Sequence, residues 1–279
     1  MHRRTLLRAV AGLGAAGAGL AACSESGEDP PMRRTSPARH AYGEDPSQWG
    51  DLFLPDGEPR GVVVVVHGGF WKAEYGAEQY GGPLASDLAD RGWAAWNLEY
   101  RRVGNGGGAP ATFDDVAAGI DHLAELDLDL TTVVTLGHSA GGHLATWAAA
   151  RGGHGWTERV PVTHVISQAG VLDLRAADAD GLGGGAARAL LGHAPTAADA
   201  RFDPAQQLPL DVPVWCVHGT DDDIVPPSQS ASYVERARAA GATAELVEVP
   251  GDHFAVIDPA TQAWARQVAV LDTIGRTTR

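Results

Sequence analysis

Five successive valines, Val62–Val66, run directly into His67-Gly68-Gly69 and constrain the fold more than any other stretch of this chain. A β-branched run that is apolar at every position leaves no face for water. It is therefore predicted to be a strand covered on both sides, inside a mostly parallel sheet flanked by helices. Further strands are predicted at 94–98, 132–136, 162–167, 212–217 and 244–249, with 49–54 as a first edge strand. Helical patterns alternate with them at 78–91, 113–126, 140–151, 229–240 and 259–274. In the second of these, Phe113, Val116, Ala117, Ile120 and Leu123 recur at helical spacing. Repeated strand–helix units predict a single α/β domain over 42–279 with right-handed crossovers. The stretch 171–210, rich in Ala, Gly and Asp, is too long for a plain loop and is expected to form a small cap-like insertion with short helices.

The residues before this domain read as an address. Residues 1–22 carry early arginines, no acid, then an Ala/Gly/Leu run ending in small residues, as an export signal peptide does. Arg3-Arg4-Thr5-Leu6-Leu7 resembles the twin-arginine signature, and Leu20-Ala21-Ala22-Cys23 resembles a lipobox. Cys23 is thus the expected lipidation site, with 23–41 a polar, Pro- and Ser-containing tether to the outer face of the cytoplasmic membrane. An ordinary cleaved signal with an incidental cysteine is the alternative. Gly12-x-Gly14-x-x-Gly17 matches a dinucleotide fingerprint by letter, but no strand precedes it.

Thirty-five acidic residues face 21 basic ones, for a net charge of −14. Such a chain is a poor holder of nucleic acid, which needs a basic patch. Two cysteines, Cys23 and Cys216, make neither a disulfide scaffold nor a four-thiolate zinc site. Cys216 falls inside a predicted strand and is expected as buried packing. The histidines at 122, 143, 154, 164 and 193 show no metal-ligand spacing, and no metal or cofactor is expected. Gly106-Gly107-Gly108 and Gly183-Gly184-Gly185 read as flexible loops.

The chemistry is predicted at strand ends. Gly137-His138-Ser139-Ala140-Gly141 stands between a predicted strand and a predicted helix, the context in which G-x-S-x-G forms a nucleophile elbow. Ser139 is the candidate nucleophile. His67-Gly68-Gly69-Phe70-Trp71 follows the valine strand, and its glycines let the backbone approach a substrate carbonyl. The expected oxyanion donors are backbone N–H groups of Gly68, Gly69, Phe70 and Ala140. His67 is read as a structural pin of that loop, and Trp71 either as a pocket wall or as an anchor. A serine needs a base, and the base needs an orienting acid. In the order Ser, acid, His, these fall in His218-Gly219-Thr220-Asp221-Asp222-Asp223-Ile224-Val225-Pro226 and in Gly251-Asp252-His253-Phe254. His253 is the candidate base. Spacing to the Val-Pro pair favours Asp222 as the acid, with Asp221 and Asp223 as alternatives.

The motifs HGGFW at 67–71, NLEYRR at 97–102, GHSAGGH at 137–143, HGTDDDIVP at 218–226 and GDHF at 251–254 together resemble the α/β-hydrolase esterases and lipases, on their kynurenine-formamidase-like side. The resemblance covers residues 42–275 and implies a Ser–Asp–His serine hydrolase without a cofactor, acting on a small ester or amide. Two alternatives accompany it. One is kynurenine formamidase, suggested by HGG-x-W in place of HGGG; the other is a catalytically silent surface-binding lipoprotein.

Overall fold

The structure, a computed structural model, describes residues 36–274. Residues 1–22, Cys23 and the tether up to residue 35 lie outside the described residues. The strands are β1 (Ala38–Ala41), β2 (Trp49–Phe53), β3 (Val62–Val66), β4 (Ala94–Leu98), β5 (Val133–His138), β6 (His164–Gln168), β7 (Val214–Gly219) and β8 (Ala244–Val249). They form one eight-stranded sheet in the order β1-β2-β4-β3-β5-β6-β7-β8. All neighbours from β4 to β8 pair parallel, while β1–β2 and β2–β4 pair antiparallel.

Helices α1 (Ala77–Tyr80), α2 (Gly82–Asp90), α3 (Ala111–Asp121), α4 (Ala140–Ala148), α5 (Leu174–Ala179), α6 (Ala186–Leu191), α7 (Ser228–Ala239) and α8 (Gln262–Ile274) connect the strands. The valine strand divides the interior as its composition requires. Val62, Val64 and Val66 join a core with Phe113 and Val116 of α3, Leu144 and Trp147 of α4, and Tyr233 of α7. Val63 and Val65 join a second core on the opposite face with Leu84 and Leu88 of α2 and Trp264 and Leu271 of α8. Each valine is at most 1% exposed, and full burial of such a side chain is worth about 1.5–3 kcal/mol. Cys216, on β7, is packed in the first core, and burial pushes its thiol up to about 12.

Three expectations are corrected. The edge of the sheet is β1, inside the predicted tether, and 49–53 is the second strand. Ala38-Arg39-His40-Ala41 has no apolar alternation, so only its pairing to β2, Ala38 opposite Leu52, reveals it as a strand. Arg39 reinforces the edge by bonding Asp51 at 2.8 Å and lying 3.5 Å above the Trp49 ring. The predicted helix 78–91 is two helices that meet at Gly81, where a side chain would come within 1.9 Å of Asn97 Oδ1. Gly107 is packed rather than free: a Cβ there would meet the Arg101 backbone at 2.4 Å.

The contact that places the site is between α4 and the end of β3. A Cβ on Gly141 would stand 2.1 Å from the Val66 carbonyl oxygen and 2.4 Å from that of His67. A Cβ on Gly137 would stand 2.1 Å from the Gly141 carbonyl. Gly141→Ala should therefore lower stability by about 1–3 kcal/mol, the cost of overpacking a filled site. That loss reads as a fall of several degrees in the thermal midpoint. A midpoint unchanged within about a degree would show that helix and strand have room to part.

Candidate active site

Ser139 sits between the end of β5 and the start of α4 with φ 56° and ψ −119°. No regular element uses that conformation, and it costs about 1–3 kcal/mol. Three backbone bonds hold it: Ser139 N–H donates to Gln168 O at 2.8 Å, and Ser139 O accepts from His143 and Val171 N–H at 3.2 Å each. The close approach of glycines 137 and 141 described above permits the turn. Ala140 opens α4, where the first N–H groups have no partner within the helix.

His253 lies in the loop after β8, and Asp222 in the loop after β7. The two loops are laced together by Thr220 N–H to Val249 O at 2.9 Å and Asp221 N–H to Gly251 O at 3.0 Å. His253 Nδ1 is 2.7 Å from Asp222 Oδ2. Since the carboxylate accepts, Nδ1 carries the proton and Nε2 keeps its lone pair. Of the three aspartates, Asp222 alone reaches His253 and is buried, while Asp221 and Asp223 are exposed. Its Oδ1 accepts from Ile224 and Val225 N–H at 2.9 Å each. Burial opposes ionisation of Asp222, but hydrogen bonds from His218, His253 and the Val225 N–H outweigh it and hold the carboxyl well below its ordinary range. Behind the base, His138 Nε2 donates to the His253 carbonyl at 2.9 Å. Burial, with the nearby His253, pushes His138 down to about 3, so it stays neutral.

The loop after β3 is pinned from below. His67 Nδ1 donates to Gly68 O at 2.8 Å, and its Nε2 lies 3.1 Å from both Glu99 Oε1 and Arg102 Nη1. Its ring stacks on Tyr100 at 4.5 Å, and the Tyr100 hydroxyl donates to His67 O at 2.7 Å. Glu99 also bonds Arg102 and accepts from Ala77 and Tyr100 N–H. Burial opposes its charge, but the His67 bond, the Arg102 charge and the Ala77 N–H hold it below its ordinary value. Glu99 and Arg102, inside NLEYRR, have no assigned role in the sequence reading. The available signal was an acid and an arginine at the end of a strand predicted to be buried, where each has to find a partner.

Above this pin, Gly69 has φ +111°, and Phe70 and Trp71 each have φ 53°. A side chain at Gly68 would stand 3.1 Å from Ser139 Cβ, so this glycine lets the loop lie against the nucleophile. Trp71 is 1% exposed, edge-on to His143 at 5.1 Å, and is an anchor rather than a wall. Gly183 is packed too, beneath the Phe70 ring, and Lys72 Nζ donates to its carbonyl at 3.1 Å.

Ser139 and His253 line one cavity of about 80 Å³ with Gly68, Gly69 and Phe70. Its apolar walls are Phe70, Tyr75, Tyr80, Ile224 and Phe254. Ile224 and Phe254 come from the loops that carry the acid and the base. Segments 103–112 and 171–210 supply none of its lining residues.

Glu99→Gln should loosen the oxyanion loop, with a fall of roughly tenfold or more in activity from misplacement. It should also lower the thermal midpoint, since breaking a buried pair is strongly destabilising. Because Glu99 titrates below its ordinary 4.5 in the folded chain, the gap from wild type should be full above about pH 4.5 and narrow below it. Equal midpoints at neutral pH would show that the cluster does not hold the loop.

Comparison with known proteins bears on the whole assembly. The chain is similar to the esterase LipC of Mycobacterium tuberculosis, 29% identical over 238 residues, covering 76% of this chain and 58% of LipC. It spans about half the length of the other curated relatives that match over most of it. Its fold matches a truncated carbohydrate esterase from gut microbiota with a TM-score of 0.75 at 20% identity, covering 88% of this chain and 99% of that one. It also matches esterase B of Lactobacillus rhamnosis with a TM-score of 0.74 at 22% identity, covering 86% of each. The BD-FAE family profile matches residues 51–236, which carry the valine strand, the Ser139 turn and Asp222, and the chain belongs to this family of the α/β-hydrolase fold.

Proposed function

We propose that this protein is a serine carboxylesterase that cleaves small esters through an acyl-enzyme intermediate. The observation that carries the reading is the strained Ser139 turn sharing one cavity with His253, whose Nδ1 is held by Asp222 at 2.7 Å. In this reading His253 Nε2 takes the Ser139 hydroxyl proton as Oγ attacks the ester carbonyl. The N–H groups of Ala140 and the 68–70 loop receive the oxyanion. Collapse expels the alcohol, which takes the proton from His253. Water, deprotonated by the same base, then releases the acid and restores Ser139. The names of the relatives, esterase and carbohydrate esterase, agree with an ester bond. A cavity of about 80 Å³ with aromatic walls suits a short acyl group. The formamide reading rests on HGG-x-W, and Trp71 lies beneath the loop away from the cavity lining, so the ester is preferred.

A panel of p-nitrophenyl esters of rising chain length, with N-formylkynurenine alongside, tests this. Activity should be highest on the shortest acyl chains. Ser139→Ala should fall to background, a loss of up to about 10⁶ in turnover, and Asp222→Asn should retain a trace. Residual activity above about a hundredth in Ser139→Ala would exclude the mechanism. A wild-type protein that neither hydrolyses the panel nor reacts with a fluorophosphonate at Ser139 would favour the silent binding lipoprotein.

We further propose that the protein is exported and anchored at Cys23, a reading supported by the residues of the leader alone. Cys23→Ser should move the protein from the membrane to the soluble fraction with its esterase activity intact, because stable anchoring needs more than one acyl chain's worth of lipid. A soluble wild-type protein without added lipid mass would sink the anchor and leave the esterase reading standing.

A further inference from the structure

His218 forms a layer behind the acid. It is 1% exposed at the end of β7. Its Nδ1 lies 2.7 Å from Ser230 Oγ on α7, and its Nε2 lies 2.9 Å from Val225 O. A carbonyl only accepts, so Nε2 bears the proton and Nδ1 accepts from the Ser230 hydroxyl. The same Nε2 lies 3.2 Å from Asp222 Oδ2, the oxygen that holds His253. We propose that His218 is a positioning residue that tunes the base, its shared N–H drawing charge from Asp222 Oδ2 and so weakening the acid's hold on protonated His253. The inference rests on the esterase reading.

The consequence has a sign. Asp222 receives N–H groups from His253, Ile224 and Val225 and has His218 Nε2 3.2 Å from its Oδ2, a set that keeps it anionic and spreads its charge. Removing one donor leaves more negative charge for His253, favours its protonated form and moves its titration to higher pH. Only neutral His253 can accept the Ser139 proton, so the acid limb of the pH profile moves with it. The other group facing His253 is His138 from β5, its ring centroid 4.4 Å away, and it stays neutral because burial pushes it down to about 3. Asp221, Asp223 and Asp252 are at the surface, and Asp252 is engaged with the Phe254 and Ala255 N–H groups.

The test is the pH dependence of kcat/KM on p-nitrophenyl acetate for wild type, His218→Asn and His218→Gln. The shorter asparagine amide cannot reach the Nε2 position, and its acid limb should move up by about half a unit to one unit. Glutamine can put an N–H there and should return the limb close to wild type. Coincident limbs for His218→Asn and wild type overturn the proposal, as does an equal shift in both variants, which would mark a packing role. Should the asparagine variant not fold, Ser230→Ala frees the ring and should give a smaller upward shift; no shift overturns the proposal. A wild type without esterase activity removes the esterase reading and this inference with it. A wild type that depends on Ser139 but shows unmoved limbs in the variants removes the inference alone.

Discussion

The site depends on two backbones meeting where no side chain fits. Helix α4 reaches the end of β3 only because positions 137 and 141 are glycine, with carbonyl oxygens at 2.1 Å from where their Cβ atoms would be. That approach sets Ser139 against the loop that begins at Gly68. The strain at Ser139 is small beside the burial of the two cores on either side of the sheet, so the fold can hold the turn in place. Stability in the valine strand and geometry in the turn are thus one problem, solved at one junction.

Two buried carboxylates organise the remainder, each surrounded by donors. Glu99 fastens the loop below the cavity through His67 and Arg102, and Asp222 fastens the ring above it. Both are ionised for the same reason: burial alone would neutralise them, and a full set of N–H groups reverses that preference. A partly satisfied carboxylate in either place would be costly and loose.

Much of this was legible in the residues because it was written in strong local terms. An all-apolar β-branched run admits one kind of environment, and G-x-S-x-G after a strand admits one kind of turn. Asp222 could be favoured by spacing, but its neighbours differ from it only in which way the chain faces, and a string of three identical residues does not carry that. The edge strand at 38–41 was hidden because an exposed edge owes its identity to its partner's hydrogen bonds rather than to its own side chains. Glu99 had no assigned task in the motif, since its partner His67 meets it only once β3 and β4 lie side by side. The glycine at 81 likewise answers to Asn97 of β4, which leaves no room for a side chain there.

The bond from His138 to the His253 carbonyl runs from the residue before the nucleophile to the main chain of the base, not to its ring. With the lacing of the 219–222 and 249–252 loops, it joins three separate chain segments into a unit that opens as a whole or stays closed. Amide protons of these segments would then exchange with solvent together. Brief partial openings would not expose the serine without also dismantling its partner.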